Sequence, residues 1–369
     1  MLKFETCTKN NHQKSILLSK KIFKDNMDQQ FLLLFGDENR KHMFIATDEN
    51  KVVSMVNYYK SSVNIYESQI LVASIGSVCT LDEYRHQSIA SNLLIMAERK
   101  MISESVSVAI ISGDGGLYHQ FGADVVGDMI GYVFTRNDMI SQNEYTIKLY
   151  DDSQLDPLMI LYEQEDIRYL RTKSEFKKLI LGQTYPDTFA DYPFYLIYEN
   201  NVLVAYVIFS RAFGKRTLLI KEFGGKREAL VKSFGTLLVL MKKLSLTIIC
   251  SPNDGINEWL HTSRSKRTSL HASIKIVNPS QLLKDLTPYL IKICGEDRWK
   301  HLSFIQNGDR FRFQYKNEQP CELDIHELNR LIFESPKSIV NQIKSESLKT
   351  LLKTMFPIPF VWVNNLNYQ

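Results

Sequence analysis

Residues 70–122 constrain this chain more than any other stretch. An uncharged apolar run, residues 70–80, is followed by Tyr84-Arg85-His86-Gln87-Ser88-Ile89-Ala90 and then by a helix-patterned segment, residues 91–101. A second strand-like run, residues 107–112, leads through Gly113-Asp114-Gly115-Gly116 into Leu117-Tyr118-His119-Gln120-Phe121-Gly122, a short helix that presents a tyrosine. Strand, small-residue turn, helix and strand in this order belong to a mixed α/β layer. They also imply an anion site followed by a proton donor. Backbone N–H groups in the first turn of a helix lack intrahelical partners and sit at the positive end of the helix dipole. A turn of small residues beside a cation therefore lets a phosphate approach them.

The rest of the chain repeats this plan. At 369 residues it suits two or three domains, and a hydrophobic fraction of 44% with 20 Phe and 18 Tyr is enough for sizeable cores. Residues 10–36 read as two helices around the acidic turn Asp25-Asn26-Met27-Asp28. Residues 41–66 read as a meander whose strands flank Asp48-Glu49-Asn50-Lys51. Closing strands are expected near 124–128 and 131–136, which ends a first α/β domain at residue 150. Residues 194–206 then echo 44–55, down to a shared Glu-Asn-x-Val in Glu49-Asn50-Lys51-Val52 and Glu199-Asn200-Asn201-Val202. The parallel continues in a strand at 217–221, a helix at 227–243 and a strand at 246–250, so residues 151–268 are expected to be a second copy of the same topology. Its turn, Phe223-Gly224-Gly225-Lys226-Arg227, lacks the spacing of the first, which marks a structural partner rather than a second active site. Residues 269–369 read as a smaller α+β part, with a helix at 279–291, a hairpin around Asn307-Gly308 and helices at 324–333 and 339–355.

Charge and cysteine usage exclude several classes. The net charge of +4, from 45 basic and 41 acidic residues, suits an anionic cofactor but gives no argument for nucleic acid; the basic run at 264–267 reads as an exposed loop. Cys7, Cys79, Cys250, Cys294 and Cys321 are far apart and odd in number, the pattern of reduced thiols in a cytoplasmic protein. With no CxxC and no Cys/His cluster, no metal is expected. No signal core and no uncharged stretch of spanning length is present, so no membrane partner is expected.

Arg85-His86-Gln87-Ser88-Ile89-Ala90 resembles the R/Q-x-x-G-x-G/A acyl-CoA pyrophosphate loop of the GNAT superfamily of N-acetyltransferases, and Leu117 to Gly122 resembles their tyrosine motif. Ser88 stands where that loop usually has glycine; a serine held at positive φ costs about 1 kcal/mol. The order of parts is similar to the enhanced-intracellular-survival (Eis-like) branch, in which two acetyltransferase-like domains precede a sterol-carrier-like module. This resemblance covers nearly the whole chain. It implies tandem GNAT folds with mixed central sheets, then a smaller sterol-carrier-like domain, in a homo-oligomer.

The resemblance further implies acetyl-CoA as co-substrate and direct attack by a primary amine, of a small molecule or a peptide, in a ternary complex. Val78 and Thr80 would pair through their backbone with the pantetheine arm. Arg85, His86, Gln87, Ser88, Ile89, Ala90 and Ser91 would hold the pyrophosphate. Tyr118 would protonate the departing thiolate, since a phenol of pKa about 10 keeps its proton at neutral pH. His86 and His119 are weaker candidates for that role. The apolar stretch 356–369 is expected to dock as a final strand, and in the look-alike branch the terminal carboxylate, here that of Gln369, acts as base. Asp25 and Asp28 either line an acceptor pocket or cap their helices. A non-catalytic CoA-fold protein, a hydrophobic-ligand carrier and a scaffold that keeps the duplicated fold for assembly are the alternatives to an enzyme.

Overall fold

The computed structural model describes all residues except 25, 139–143, 185–193, 211–215, 335–336 and 369. The chain forms two compact units. Met1–Gly127, Ser269–Ile358 and Asn367–Gln369 make the first, and Asp128–Thr268 with Pro359–Leu366 make the second.

In the first unit the sheet runs Lys3–Thr6, Met43–Asp48, Lys51–Ile65, Ser68–Thr80, Val108–Ile111, Ser273–Ile276, Asp124–Val125. Neighbours on this path are antiparallel except Ser68–Thr80 with Val108–Ile111. A parallel pair needs a crossover, and helix Ile89–Ser103 supplies it. That helix buries Leu93, Leu94, Ala97 and Met101, one face of a 3.6-residue period, in the core of the sheet. Helix Lys9–Ile22 buries the small residues Ser15 and Ser19 beside Ile16 and Leu18. The Ser19 hydroxyl shares a hydrogen bond with that of Ser77 on the central strand at 2.7 Å.

The second unit repeats the order strand for strand: Tyr145–Leu149, Phe194–Glu199, Val202–Ser210, Thr217–Gly225, Ser245–Cys250, Met129–Thr135, Arg264–Thr268. Again one pair is parallel, Thr217–Gly225 with Ser245–Cys250, and helix Arg227–Leu240 lies between them in the chain. Both copies carry a two-residue hairpin loop with positive φ at both positions, as a type I′ turn requires. The loop residues are Glu49 and Asn50 between Asp48 and Lys51, and Asn200 and Asn201 between Glu199 and Val202. The sequence echo is therefore displaced by one residue: Glu49 lies in its loop, whereas Glu199 ends its strand.

One expectation is corrected here. The strand expected near 131–136 to close the first sheet is Met129–Thr135 of the second sheet, and the matching place in the first sheet is taken by Ser273–Ile276. The first boundary thus moves from 150 to 127, and residues 269–358 cluster with the amino-terminal unit rather than standing apart. Gly127 marks the crossing point. Its φ is +122, and a methyl there would stand 2.4 Å from Leu270 Cγ. Next to it, Leu270 N donates to Val126 O at 3.0 Å. Either short apolar strand can satisfy a buried antiparallel edge, so local pattern does not distinguish them.

Within the carboxyl-terminal part, Leu302–Asn307 and Arg310–Tyr315 form the expected hairpin over Gly308, whose φ is +58. Helix Ile325–Phe333 starts with a capping box, in which Asp324 accepts from Glu327 N at 2.8 Å and Glu327 accepts from Asp324 N at 2.9 Å. The tail from 356 to 368 is buried at Phe356, Ile358, Phe360, Val361, Val363 and Leu366, as its composition implies, but it contains no strand. Pro357 and Pro359 remove two N–H donors that a ladder would use. Cys7, Cys79, Cys250 and Cys294 are buried free thiols, and Cys321 is half-buried and free. Among the described residues no helix is long and apolar enough to cross a membrane.

Candidate active site

The central strand of the first sheet sets up the site by outrunning its neighbour. Parallel pairing runs from Val72 opposite Val108 to Ile75 opposite Ile111 and then stops, while the strand continues to Thr80. On its other side the pairing jumps from Gly76 opposite Asn57 to Cys79 opposite Met55, so Ser77 and Val78 together face Val56. Ser77 takes φ +54 in this bulge. An extra residue bends and twists a strand, and the backbone edge of residues 76–80 is left without a ladder partner from Val108–Ile111. Val78 and Thr80, the residues expected to meet the pantetheine arm, lie on this edge. The Thr80 hydroxyl is held by Ser54 Oγ at 2.8 Å. Burial pushes the neighbouring Cys79 thiol up to about 12, which leaves it unreactive.

Beyond the edge, a short turn, Asp82–Tyr84, leads into residues 85–88 and then helix Ile89–Ser103. His86 has φ +60, and Ser88, the residue before the helix, has φ +56 and ψ +19. Serine therefore adopts the left-handed conformation for which the family pattern uses glycine. The first intrahelical bond is from Asn92 N to Ser88 O at 3.0 Å, so the amides of Ile89, Ala90 and Ser91 precede the ladder. Ser88 Oγ makes no capping bond, and the first turn has no acidic residue to compete with an anion. Arg85, His86, Gln87 and Ser88 are exposed. The cation is weaker than the sequence suggests, because Arg85 Nη2 pairs with Asp82 Oδ1 at 2.9 Å. Ser88→Gly is expected to stabilise the fold by up to about 1 kcal/mol, by removing left-handed strain, and to bind acetyl-CoA as tightly as the parent or tighter. Thermal unfolding and calorimetric titration measure the two effects; a loss of affinity would identify the hydroxyl itself as a ligand.

Tyr118 sits in the middle of helix Gly116–Gln120, and its ring packs on the core of the first sheet. A methyl at Gly113 would stand 2.6 Å from Tyr118 Cε2, so glycine is needed there for close approach. The Gly113 carbonyl accepts from Ser273 Oγ at 2.5 Å, which makes the late strand Ser273–Ile276 a support of the tyrosine's packing partner. Burial raises the Tyr118 phenol above its ordinary value of 10, and Cys79 and Tyr368 add to the rise. Cys79 belongs to the same core on which the Tyr118 ring packs.

Of the other expected site residues, Asp28 forms an ion pair with Lys20 at 2.8 Å, so its charge is already compensated. Asp25 and Gln369 lie outside the described residues. His119 is exposed and stacks on His326. The supporting roles of Ser77, Gly113 and Ser273 carry no local sequence signal.

The equivalent turn in the second unit is closed by its own side chains. Gly225 N donates to Glu165 Oε1 at 2.7 Å, and Arg227 bonds both Glu165 oxygens at 2.9 and 2.6 Å. Arg227 also holds Asp254 at 2.8 and 3.0 Å, and Glu228 lies in the first helical turn. A carboxylate thus occupies the position before this helix where the first unit presents unpaired amides.

Residues 3–126 match the family model of the acetyltransferase (GNAT) domain. No curated protein matches the chain by sequence. Among solved structures, the chain is similar to a probable N-acyltransferase of Enterococcus faecalis V583, with a TM-score of 0.71, 13% identity and 97% and 98% of the two chains covered. It is also similar to Eis1 of Mycobacterium abscessus, with a TM-score of 0.68, 11% identity and 98% and 99% covered. A GCN5-related N-acetyltransferase of Kribbella flavida gives a TM-score of 0.67 at 12% identity over 100% and 98%. At such identities the agreement is one of fold, along the whole length of each chain. Residues 3–126 are thus similar to the acetyltransferase (GNAT) domain, and the chain as a whole has the mixed α/β fold of these structures.

Proposed function

We propose that this protein transfers the acetyl group of acetyl-CoA to a primary amine by direct attack within a ternary complex. The observation that carries this reading is the junction of three features in one unit: the edge of residues 76–80 left open by Val108–Ile111, the carboxylate-free start of helix Ile89–Ser103, and Tyr118 packed on the core that contains Cys79. Backbone groups of Val78 and Thr80 pair with the amides of the pantetheine arm. The amides of Ile89, Ala90 and Ser91 hold the pyrophosphate, with residues 85–88 around it. The neutral amine nitrogen attacks the thioester carbonyl, the carbon–sulfur bond breaks as the tetrahedral intermediate collapses, Tyr118 gives its proton to the sulfur, and the proton lost by the nitrogen passes to water, from which the phenol is restored. Holding amine and thioester together supplies much of the acceleration, and the placed acid supplies a further 10²–10⁴-fold or so.

Catalysis is assigned to the first unit alone, because Glu165 fills the corresponding anion position of the second. Calorimetric titration with acetyl-CoA, followed by an assay of thiol release across a panel of polyamines, aminoglycosides and lysine peptides, tests the proposal. One molecule of acetyl-CoA per chain and amine-dependent release of thiol are expected. No binding, or binding without release for any amine, would leave a carrier or scaffold instead.

A further inference from the structure

Asp124 is 6% exposed, and two helices of the first unit converge on its carboxylate. His326, from helix Ile325–Phe333, places Nδ1 3.0 Å from Oδ1 and 2.9 Å from Oδ2. His119, from helix Gly116–Gln120, stacks on His326 with ring centroids 4.4 Å apart and planes 12° apart. Its Nε2 lies 3.9 Å from Asp124 Oδ1. The fully buried Asn329 donates to Asp124 Oδ2 at 2.7 Å and to Gly122 O at 2.9 Å, while its Oδ1 accepts from Ile276 N at 3.0 Å. The carboxylate is therefore held in place: turning it away would orphan a buried amide. Acyl transfer as described above makes no use of this cluster.

We infer that His119, Asp124 and His326 form a binding site for a divalent first-row transition ion of the zinc type. Two imidazoles and one carboxylate are a donor set that such ions accept, whereas calcium and magnesium take oxygen ligands. One donor atom from each residue already lies within 4.8 Å of the others. Bonds of about 2.0 Å in a tetrahedron place donors about 3.3 Å apart. The separations of 3.0 and 3.9 Å from Asp124 bracket that value, and the His119 side chain, 64% exposed, has room to turn out of its stack on His326 and aim its ring nitrogen at a shared ion. Asn329 plays the part of an outer partner that fixes a ligating carboxylate. The opposing charge is Arg330, whose Nη2 is 3.8 Å from Asp124 Oδ1; at 46% exposure it can turn into water. Lys275, the other cation near Gly122, is paired with Glu98 at 2.7 Å. A fourth position is left to water. Because His119 directly follows Tyr118, a bound ion ties the tyrosine helix to helix Ile325–Phe333 and restrains the residue on which acyl transfer is proposed to depend.

The test titrates chelator-treated full-length protein with Co²⁺, whose visible absorption reports tetrahedral nitrogen and oxygen ligation, and with Zn²⁺ by calorimetry. One ion per chain is expected. His119→Ala should weaken binding at least about 10-fold, and so should His326→Ala. His119 is exposed, so its variant keeps the fold, which circular dichroism checks. Zn²⁺ should raise the melting temperature of the parent and leave that of His119→Ala unmoved. Absence of a visible band and of Zn²⁺ heat at millimolar metal would overturn the inference, as would parent-like affinity in His119→Ala, which would put the ion elsewhere. These readouts do not involve acetyl-CoA, so the site stands or falls apart from the proposed reaction.

Discussion

Tyr118→Phe is expected to lower turnover by about 10²-fold or more while acetyl-CoA binds as it does to the parent. The substitution removes one oxygen. The ring keeps its packing against Gly113 and the core, so neither the tyrosine helix nor the open edge should move. Burial has already raised the phenol above its usual pKa of 10, so the proton is in place throughout the neutral range. Loss of activity through ionisation of Tyr118 should accordingly begin only at a pH above that of a free tyrosine. Steady-state kinetics at saturating amine, with acetyl-CoA affinity measured separately, decides the matter. Parent-like turnover would remove Tyr118 from the mechanism, and equal losses in turnover and cofactor affinity would make it a packing residue.

The second large effect is on stability and falls in the other unit. Arg171 and Glu222 are 1% and 7% exposed and form two parallel bonds at 2.8 and 2.7 Å. The guanidinium lies 4.4 Å from the ring of Tyr162 and 4.7 Å from that of Phe176. Glu222 also accepts from Tyr206 Oη at 3.1 Å and from Leu366 N at 3.2 Å, which fastens part of the tail within this unit. A buried pair like this contributes little net stability relative to apolar residues, but losing one partner leaves the other charged and dry. Arg171→Ala should therefore destabilise the second unit by about 3–5 kcal/mol, read as a shift of its urea transition. The double replacement Arg171→Met with Glu222→Gln should recover much of that loss. If Arg171→Ala unfolds within about 1 kcal/mol of the parent, the carboxylate has found water or a proton, and the pair is not what holds this core.

What the sequence shows and what it hides follow from range. Helix Ile89–Ser103 and the tyrosine helix are written in contiguous residues, and the small-residue turn ahead of Ile89 marks its start, so both helices and the turn between strand and helix are legible without coordinates. The duplication is legible for the same reason, since two type I′ hairpins leave similar turn residues. The strand exchange is not, because Met129–Thr135 and Ser273–Ile276 meet the same requirement at a buried edge and only tertiary structure chooses between them. Asp82, which compensates Arg85, stands three residues away and gives no sign of its side chain's direction. His326 is 202 residues from Asp124, beyond any spacing rule for ligands. The tail was legible as buried but not as irregular, since burial follows hydrophobicity whereas a ladder also needs the N–H groups that Pro357 and Pro359 lack.

The exchanged strands have a consequence for how the protein is made. Val108–Ile111 is buried at all four positions, yet its partner on one side is Ser273–Ile276, and Asp124–Val125 pairs with that same late strand. At about 5–20 residues per second, a ribosome needs on the order of 10–30 s to travel from residue 111 to residue 276. For that interval the nascent first sheet carries an apolar edge open to any strand in the cell, while most of the second unit emerges and can close first. A gene fragment ending where the family match ends, at residue 126, would fix the protein permanently in that exposed state.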